Sequence, residues 1–123
     1  MIDNDLLKIA HEQLEFSYSP YSKFRVGAAL MAKSGKVYTG CNIENASFSP
    51  TVCAERTAFF KAISEGEREF EAIAIVGGDS ECMPCGVCRQ VMVEFCNLDF
   101  AIITERGRYT LGELMPNSFK LDR

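Results

Sequence analysis

Two short motifs, which together supply three cysteines and one carboxylate, constrain this chain most strongly. The first is Cys53-Ala54-Glu55 and the second is Pro84-Cys85-Gly86-Val87-Cys88. Thiolates in this spacing are typical ligands of Zn²⁺, and three protein ligands leave one tetrahedral position for water. The fold must therefore bring two distant segments to one point. Glu55 is a poor fourth ligand, but from two residues beyond Cys53 it can move protons for that water.

Both motifs stand at predicted helix starts, because apolar residues recur at helical spacing after each of them. A helix N-terminus lowers the pKa of a thiol and so favours the thiolate that zinc requires. Cys85 and Cys88 would share one face of their first turn. Three thiolates leave a bound Zn²⁺ with net negative charge, and we expect Arg56 to offset it by donating to the sulfurs.

Two other cofactor sites compete with this interpretation. Cys82 lies three residues before Cys85 and would complete a structural four-cysteine zinc site. The run Cys82-x-x-Cys85-x-x-Cys88 also resembles part of an iron–sulfur motif, but Met92 stands where that motif needs its fourth cysteine. We favour the three-cysteine site, because Pro84 and the helix start select Cys85 and Cys88 as the pair.

The other cysteines and the single histidine are predicted to be structural. Cys41 and Cys96 are expected to be small buried apolar residues rather than ligands. His11 lies in the predicted first helix beside polar neighbours and is expected at the surface.

Composition and charge narrow the class of protein. The chain has 123 residues and a net charge of −4, with acidic and basic residues interleaved. This predicts one domain over 1–123 and argues against a polynucleotide partner, which would require a basic stripe. The N-terminus has no signal-like pattern and no stretch is long enough to cross a membrane. We therefore expect a cytoplasmic protein whose cysteines are thiols or ligands.

The pattern of apolar residues and turn signals predicts an α/β fold. We predict helices over 3–16, 53–65 and 85–96, strands over 24–32, 36–41, 71–76 and 100–104, and a short helix or extended piece over 110–115. This order implies a sheet with helices on both faces. The strand–helix–strand unit around 85–96 should be parallel and right-handed.

Four segments resemble the cytidine deaminases, in particular the small homotetrameric branch with a three-cysteine zinc site. They are Pro20–Leu30, Gly40–Ala46, Cys53–Ala58 and Pro84–Gln90. The resemblance extends over nearly the whole chain. It implies a three-layer α/β/α sandwich with a mixed five-stranded sheet, including a fifth strand near Tyr109.

The resemblance also implies a role for each site residue. Zinc would be held by Cys53, Cys85 and Cys88, and Glu55 would be the proton shuttle. Phe24 would stack on the pyrimidine, and the Ala54 backbone N–H would donate to the base carbonyl. The segment Asn42-Ile43-Glu44 would bind the sugar, with Asn42 and Glu44 holding the ribose 3′-hydroxyl. Phe119 would reach the site of a neighbouring subunit in a homotetramer.

The predicted reaction is hydrolytic deamination of cytidine and 2′-deoxycytidine to the uracil nucleosides and ammonia, a step of pyrimidine salvage. One alternative is deamination of a cytosine-nucleoside-like antibiotic such as blasticidin S, although Asn42 and Glu44 favour a ribose. A polynucleotide deaminase is disfavoured by the acidic charge. A non-catalytic structural zinc module is the alternative from a different class, and it would need neither Glu55 nor the sugar-binding pair.

Overall fold

The helices and strands follow one another along the chain in the predicted order, with one further strand near the end. The computed structural model describes residues 3–78 and 80–121, so both ends of the domain predicted over 1–123 lie outside the described residues. The elements are α1 (Asp3–Glu12), a 3₁₀ turn (Gln13–Phe16), β1 (Val26–Ala32), β2 (Val37–Cys41), α2 (Ala54–Ser64), β3 (Phe70–Gly77), α3 (Gly86–Phe95), β4 (Ala101–Thr104), β5 (Gly107–Thr110) and α4 (Leu111–Leu114).

The strands form one mixed sheet in the order β2-β1-β3-β4-β5. β3 and β4 run parallel around α3, as predicted, and the other neighbouring pairs are antiparallel. The fifth strand, which the apolar pattern alone does not predict, pairs with β4 through Tyr109 and Ile102. The handedness of the β3–α3–β4 connection stays a prediction.

Alternation along the strands sends apolar side chains to both faces of the sheet. On one face Leu30 and Ile73 pack with Phe59 of α2 and Met92 of α3. On the other face small residues such as Ala74 leave room for α1, which inserts Leu6 and Ala10. The predicted three-layer α/β/α sandwich is therefore confirmed.

Two element boundaries differ from the prediction by more than one residue. The first helix is α-helical only to Glu12 and continues as the 3₁₀ turn. β1 begins at Val26 rather than at residue 24. Lys23 has a positive φ of 62°, and the Phe24 N–H donates to the Ser22 hydroxyl over 3.0 Å, so this stretch is a turn before the strand.

A glycine brings the end of β2 against the start of α2. A Cβ at Gly40 would lie 2.3 Å from the Ala54 carbonyl oxygen, so only glycine permits this approach. The Thr57 hydroxyl also donates to the Cys41 carbonyl over 3.1 Å. These contacts place the segment after Cys41 beside the first turn of α2. None of the helices in the described part of the chain has the length and apolar character that a bilayer crossing requires.

Candidate active site

Three cysteine sulfurs meet where the first turns of α2 and α3 converge. The Sγ atoms of Cys53, Cys85 and Cys88 all lie within 4.8 Å of one another, and those of Cys53 and Cys85 are 3.8 Å apart. Two sulfurs that each bind a tetrahedral zinc at about 2.3 Å would stand about 3.8 Å apart. The donor set is also the soft thiolate type that zinc favours. The three residues therefore fit one Zn²⁺.

The helix starts explain how the sulfurs come together. Cys53 caps α2 and Cys85 caps α3 at the N-terminal end, and both have extended backbones. Neither side chain makes a capping hydrogen bond to a described residue, so both sulfurs turn toward the shared point instead. Cys88 is buried in the first turn of α3. The first N–H groups of both helices lack intrahelical acceptors, and the positive ends of the helix dipoles favour thiolates at this point.

Contacts within the sulfur group shift the pKa values of Cys53, Cys88 and Arg56. A hydrogen bond from the Cys88 thiol and a second from Arg56 lower the pKa of Cys53 to about 5 despite burial. The same contact with Cys53, together with burial, raises the pKa of Cys88. Burial would lower the pKa of Arg56, but the sulfurs of Cys53 and Cys88 outweigh it and raise that pKa.

Glu55 is a buried carboxylate beside this sulfur group. Its exposed fraction is 2%, which is unusual for a glutamate. Burial raises its pKa to about 7, and the negative charge of Cys53 adds to the effect. A carboxyl that titrates near neutral pH both accepts and donates protons readily, as a general acid–base catalyst requires.

Cys82 does not join the sulfur group, although it lines the adjacent cleft. Burial raises the pKa of Cys82 to about 12, so its side chain remains a neutral thiol. The structure therefore gives no support to a four-cysteine site. Cys41 and Cys96 are buried and His11 is exposed, as predicted.

A cleft of about 290 Å³ opens over Glu55 and two of the ligand cysteines. Its wall combines predicted site residues with others that the sequence does not identify. The lining residues are Ser22, Phe24, Val26, Asn42, Glu44, Thr51, Val52, Cys53, Ala54, Glu55, Cys82, Met83 and Cys85. Ligand pockets of about 300 Å³ lie at the small end of the usual range, so the cleft suits one small molecule.

Asn42 is fastened to the backbone around it. Its Oδ1 accepts from the Ser17 hydroxyl at 2.5 Å and from the Val26 N–H at 2.9 Å, and its Nδ2 donates to the Phe24 carbonyl at 2.8 Å. An amide oxygen has two lone pairs and an amide nitrogen has two hydrogens. One N–H of Asn42 therefore remains for a ligand.

Glu44 is held in the same way by the segment that precedes β1. Its Oε1 accepts from the N–H groups of Tyr21 and Ser22 at 3.0 and 3.1 Å, and its Oε2 accepts from the Ser22 hydroxyl. The hydrogen bond from the Ser22 hydroxyl is the main cause that lowers the pKa of Glu44. A carboxylate offers about four acceptor positions, so about one remains on Glu44.

Besides the buried Cys88, three predicted site residues lie outside the cleft lining. Ile43 is partly exposed, and its backbone pairs with Val52 on one side and Tyr18 on the other. Arg56 lies behind the sulfurs, with its Nη2 atom 3.3 Å from the Cys53 Sγ. Phe119 is 67% exposed, and its carbonyl accepts a hydrogen bond from Gln90.

Sequence reasoning misses several residues of the cleft. Ser22 stands among other turn residues, and Val52 and Met83 read as ordinary apolar residues in loops. Nothing local distinguishes them, because their position depends on which loops the sheet brings together. The Pro20–Phe24 turn beside a predicted stacking residue is the one signal that points to Ser22.

The site and fold have close counterparts among known proteins. The model of the "Cytidine and deoxycytidylate deaminase zinc-binding region" family matches residues 1–104. A cytidine deaminase from Sporosarcina psychrophila is 49% identical over 118 residues, which cover 91% of this chain and 85% of that protein. A cytidine deaminase from Halalkalibacterium halodurans is 48% identical, with coverage of 93% and 91%.

The fold matches solved structures equally well. The crystal structure of a cytidine deaminase from Burkholderia pseudomallei superposes with a TM-score of 0.89 at 42% sequence identity. The superposition covers 97% of this chain and 100% of that one. Sequence and fold are thus similar over almost the whole length.

Proposed function

Because this chain belongs to the cytidine and deoxycytidylate deaminase family, we propose that it hydrolyses cytidine and 2′-deoxycytidine to uridine and 2′-deoxyuridine with release of ammonia. One observation carries the assignment. A buried glutamate with a raised pKa lies beside a three-sulfur group that fits one Zn²⁺, at the base of a cleft sized for one small molecule. When bound, zinc supplies Lewis acidity that makes water nucleophilic near neutral pH.

The proton transfers fall to Glu55. It takes a proton from the attacking water and delivers it to ring N3 as C4 is attacked. It then takes the remaining proton from the new C4 hydroxyl and gives it to the departing amine, which leaves the C4 carbonyl and ammonia. A pKa of about 7 suits both directions of transfer, since neither protonation state is strongly favoured at neutral pH. Burial excludes bulk water, which would otherwise compete for these protons.

The base and the sugar meet different parts of the cleft. Phe24 lines the cleft, and its ring lies against Gly77. In this proposal the ring stacks on the pyrimidine. The Ala54 N–H belongs to the first turn of α2, where backbone donors lack intrahelical acceptors, and it serves the base carbonyl. Asn42 retains one donor and Glu44 about one acceptor, a complementary pair for a single hydroxyl such as the ribose 3′-hydroxyl.

The alternatives account for less of this arrangement. A structural zinc module has no use for a buried titrating carboxyl in an open cleft. A polynucleotide substrate conflicts with the net charge of −4. An antibiotic such as blasticidin S would fit the same metal and proton chemistry, but it lacks the ribose hydroxyl that the Asn42 and Glu44 pair would bind.

We further propose that residues 1–123 act as one domain in a cytoplasmic homotetramer of the pyrimidine salvage route. Exposed apolar residues on α2 and α3, including Phe60 and Val87, line a groove of about 510 Å³ that supports self-association. The exposed Phe119 would then be available to a neighbouring subunit. Thiolate metal ligands are best kept in a reducing compartment, which supports a cytoplasmic location.

A turnover assay across four compounds tests the substrate assignment. Cytidine and 2′-deoxycytidine should be deaminated efficiently, and free cytosine and blasticidin S poorly. Efficient turnover of blasticidin S with slow turnover of cytidine would favour the antibiotic. A zinc-loaded protein inactive on all four would favour the structural module.

A further inference from the structure

One hydroxyl group connects two of the residues assigned to the substrate. The Ser22 Oγ donates to the Glu44 Oε2, and the same oxygen accepts from the Phe24 N–H at 3.0 Å. Glu44 would hold the sugar and Phe24 the base, and all three residues line the cleft. Ser22 thereby links the two recognition elements directly.

The segment around Ser22 is a turn that several hydrogen bonds hold together with this contact. Lys23, the next residue, has a φ of 62°, a conformation that costs a non-glycine residue free energy. The turn is closed by the Lys23 N–H donating to the Ser19 carbonyl at 3.0 Å, and by the Tyr21 and Ser22 N–H groups donating to Glu44. The hydrogen bonds to the charged Glu44 carboxylate are of the stronger, charge-assisted type.

We infer that Ser22 is a positioning residue for the nucleoside: its hydroxyl holds the Glu44 carboxylate and the Phe24 backbone in the arrangement that receives the sugar and the base. This inference rests on the proposed function. Without the hydroxyl, the Glu44 carboxylate keeps the two N–H donors to its Oε1 but loses the donor to its Oε2, and the Phe24 N–H loses its acceptor. The chemistry at Glu55 uses neither contact, so the effect falls on substrate binding.

Kinetics of Ser22→Ala and Ser22→Thr test the role. Because hydrogen bonds to charged groups contribute more than neutral ones, Ser22→Ala should raise KM for cytidine about tenfold with kcat changed less than about twofold. Ser22→Thr retains the hydroxyl and should recover most of the loss. Ser47→Ala, at an exposed serine outside the cleft lining, is the control and should match the wild type.

A second substrate separates positioning from general damage. With 2′,3′-dideoxycytidine, which lacks the 2′- and 3′-hydroxyls, Ser22→Ala should raise KM much less than with cytidine. An unchanged KM for cytidine, an equal rise for both substrates, or a Ser22→Thr variant as impaired as Ser22→Ala would each overturn the inference.

Amide hydrogen exchange provides a readout that does not depend on activity. The Phe24 amide should exchange at least about tenfold faster in Ser22→Ala than in the wild type, because it has lost its acceptor. Unchanged exchange would show that the hydroxyl does not hold this segment. A wild-type protein inactive on cytidine would instead refute the proposed function and remove the nucleoside role, while the exchange result would still report on the hydrogen bond.

Discussion

Arg56 donates from its Nη2 to the Sγ of Cys53 over 3.3 Å, which sets a permanent positive charge against the sulfur group. The contact has a cost, because the buried Nε of the same guanidinium has no hydrogen-bond partner among the described residues. Arg56 therefore contacts the Cys53 sulfur although its own Nε lacks a hydrogen bond to any described residue. We propose that this charge keeps a site with three thiolates from becoming too negative to activate water.

Replacing Arg56 with glutamine should impair catalysis and leave the metal in place. A more negative site binds Zn²⁺ at least as well, but it makes deprotonation of a water molecule harder. We expect kcat to fall about tenfold or more, and the acid limb of the pH profile to move to higher pH. Zinc content and the pH dependence of kcat are the measurements.

The matched control is Lys8→Gln, which removes one positive charge from α1 on the opposite face of the sheet. It should leave both measurements unchanged. An Arg56→Gln variant with a wild-type pH profile would show that the charge is not used.

Glu55→Gln should make the zinc-stripped protein more stable at neutral and alkaline pH. The folded protein raises the pKa of Glu55 from 4.5 to about 7 and so favours the protonated form. The contribution of Glu55 to the free energy of unfolding is therefore fully present below pH 4.5 and is lost as the pH rises through 7. The variant does not titrate at this position, so its advantage should grow across that window to at most about 3 kcal/mol. Urea unfolding at several pH values measures it, and a constant difference between the two proteins would contradict the raised pKa.

Cys82 and Cys85 offer a comparison of two neighbouring thiols, of which one is a ligand. Cys85→Ala should lose most of the zinc, because the remaining two sulfurs cannot complete the site. Cys82→Ala should keep one zinc per chain, since its thiol stays outside the sulfur group. Metal analysis after dialysis distinguishes them. Equal loss of zinc in both variants would instead support a four-cysteine zinc site that includes Cys82.

The metal site could be predicted from sequence because its determinants are local. The motif spacing selects the three cysteines, and the helical periodicity after Cys53 and Cys85 places each at a helix start. Apolar and β-branched runs bounded by turn residues likewise predict four strands of the sheet. β5 has no such pattern, because Gly107–Thr110 is mostly exposed, and only the resemblance indicates it.

The anchoring of Asn42 and Glu44, the proposed sugar-binding pair, could not be predicted in this way. The contacts of Asn42 with Ser17 and of Glu44 with Ser22 join residues 25 and 22 positions apart. They depend on β1, β2 and the preceding turn being assembled first. The positive φ of Lys23 is equally hidden, since a lysine gives no local signal for it. Short polar residues in loops therefore become recognisable only in the folded chain.

Asn42→Ala should destabilise the fold as well as weaken substrate binding. It leaves the Val26 N–H and the Phe24 carbonyl without their partner. We expect a loss of about 3 kcal/mol in the free energy of unfolding, measured by urea denaturation. Asn45→Ala, at an exposed asparagine with only a local side-chain contact to Ser47, is the control. Equal small losses in both variants would mean that Asn42 has no structural role.

The most direct test of the central claim compares the wild type with Glu55→Gln in one assay. Both proteins, loaded with one zinc per chain, are incubated with cytidine, and ammonia and uridine are quantified. If Glu55 carries the protons, the wild type should release ammonia and uridine in equal amounts. The variant should lose turnover by several orders of magnitude while it retains its zinc and its fold. Near-normal turnover by Glu55→Gln would contradict the assignment of Glu55 as the proton carrier.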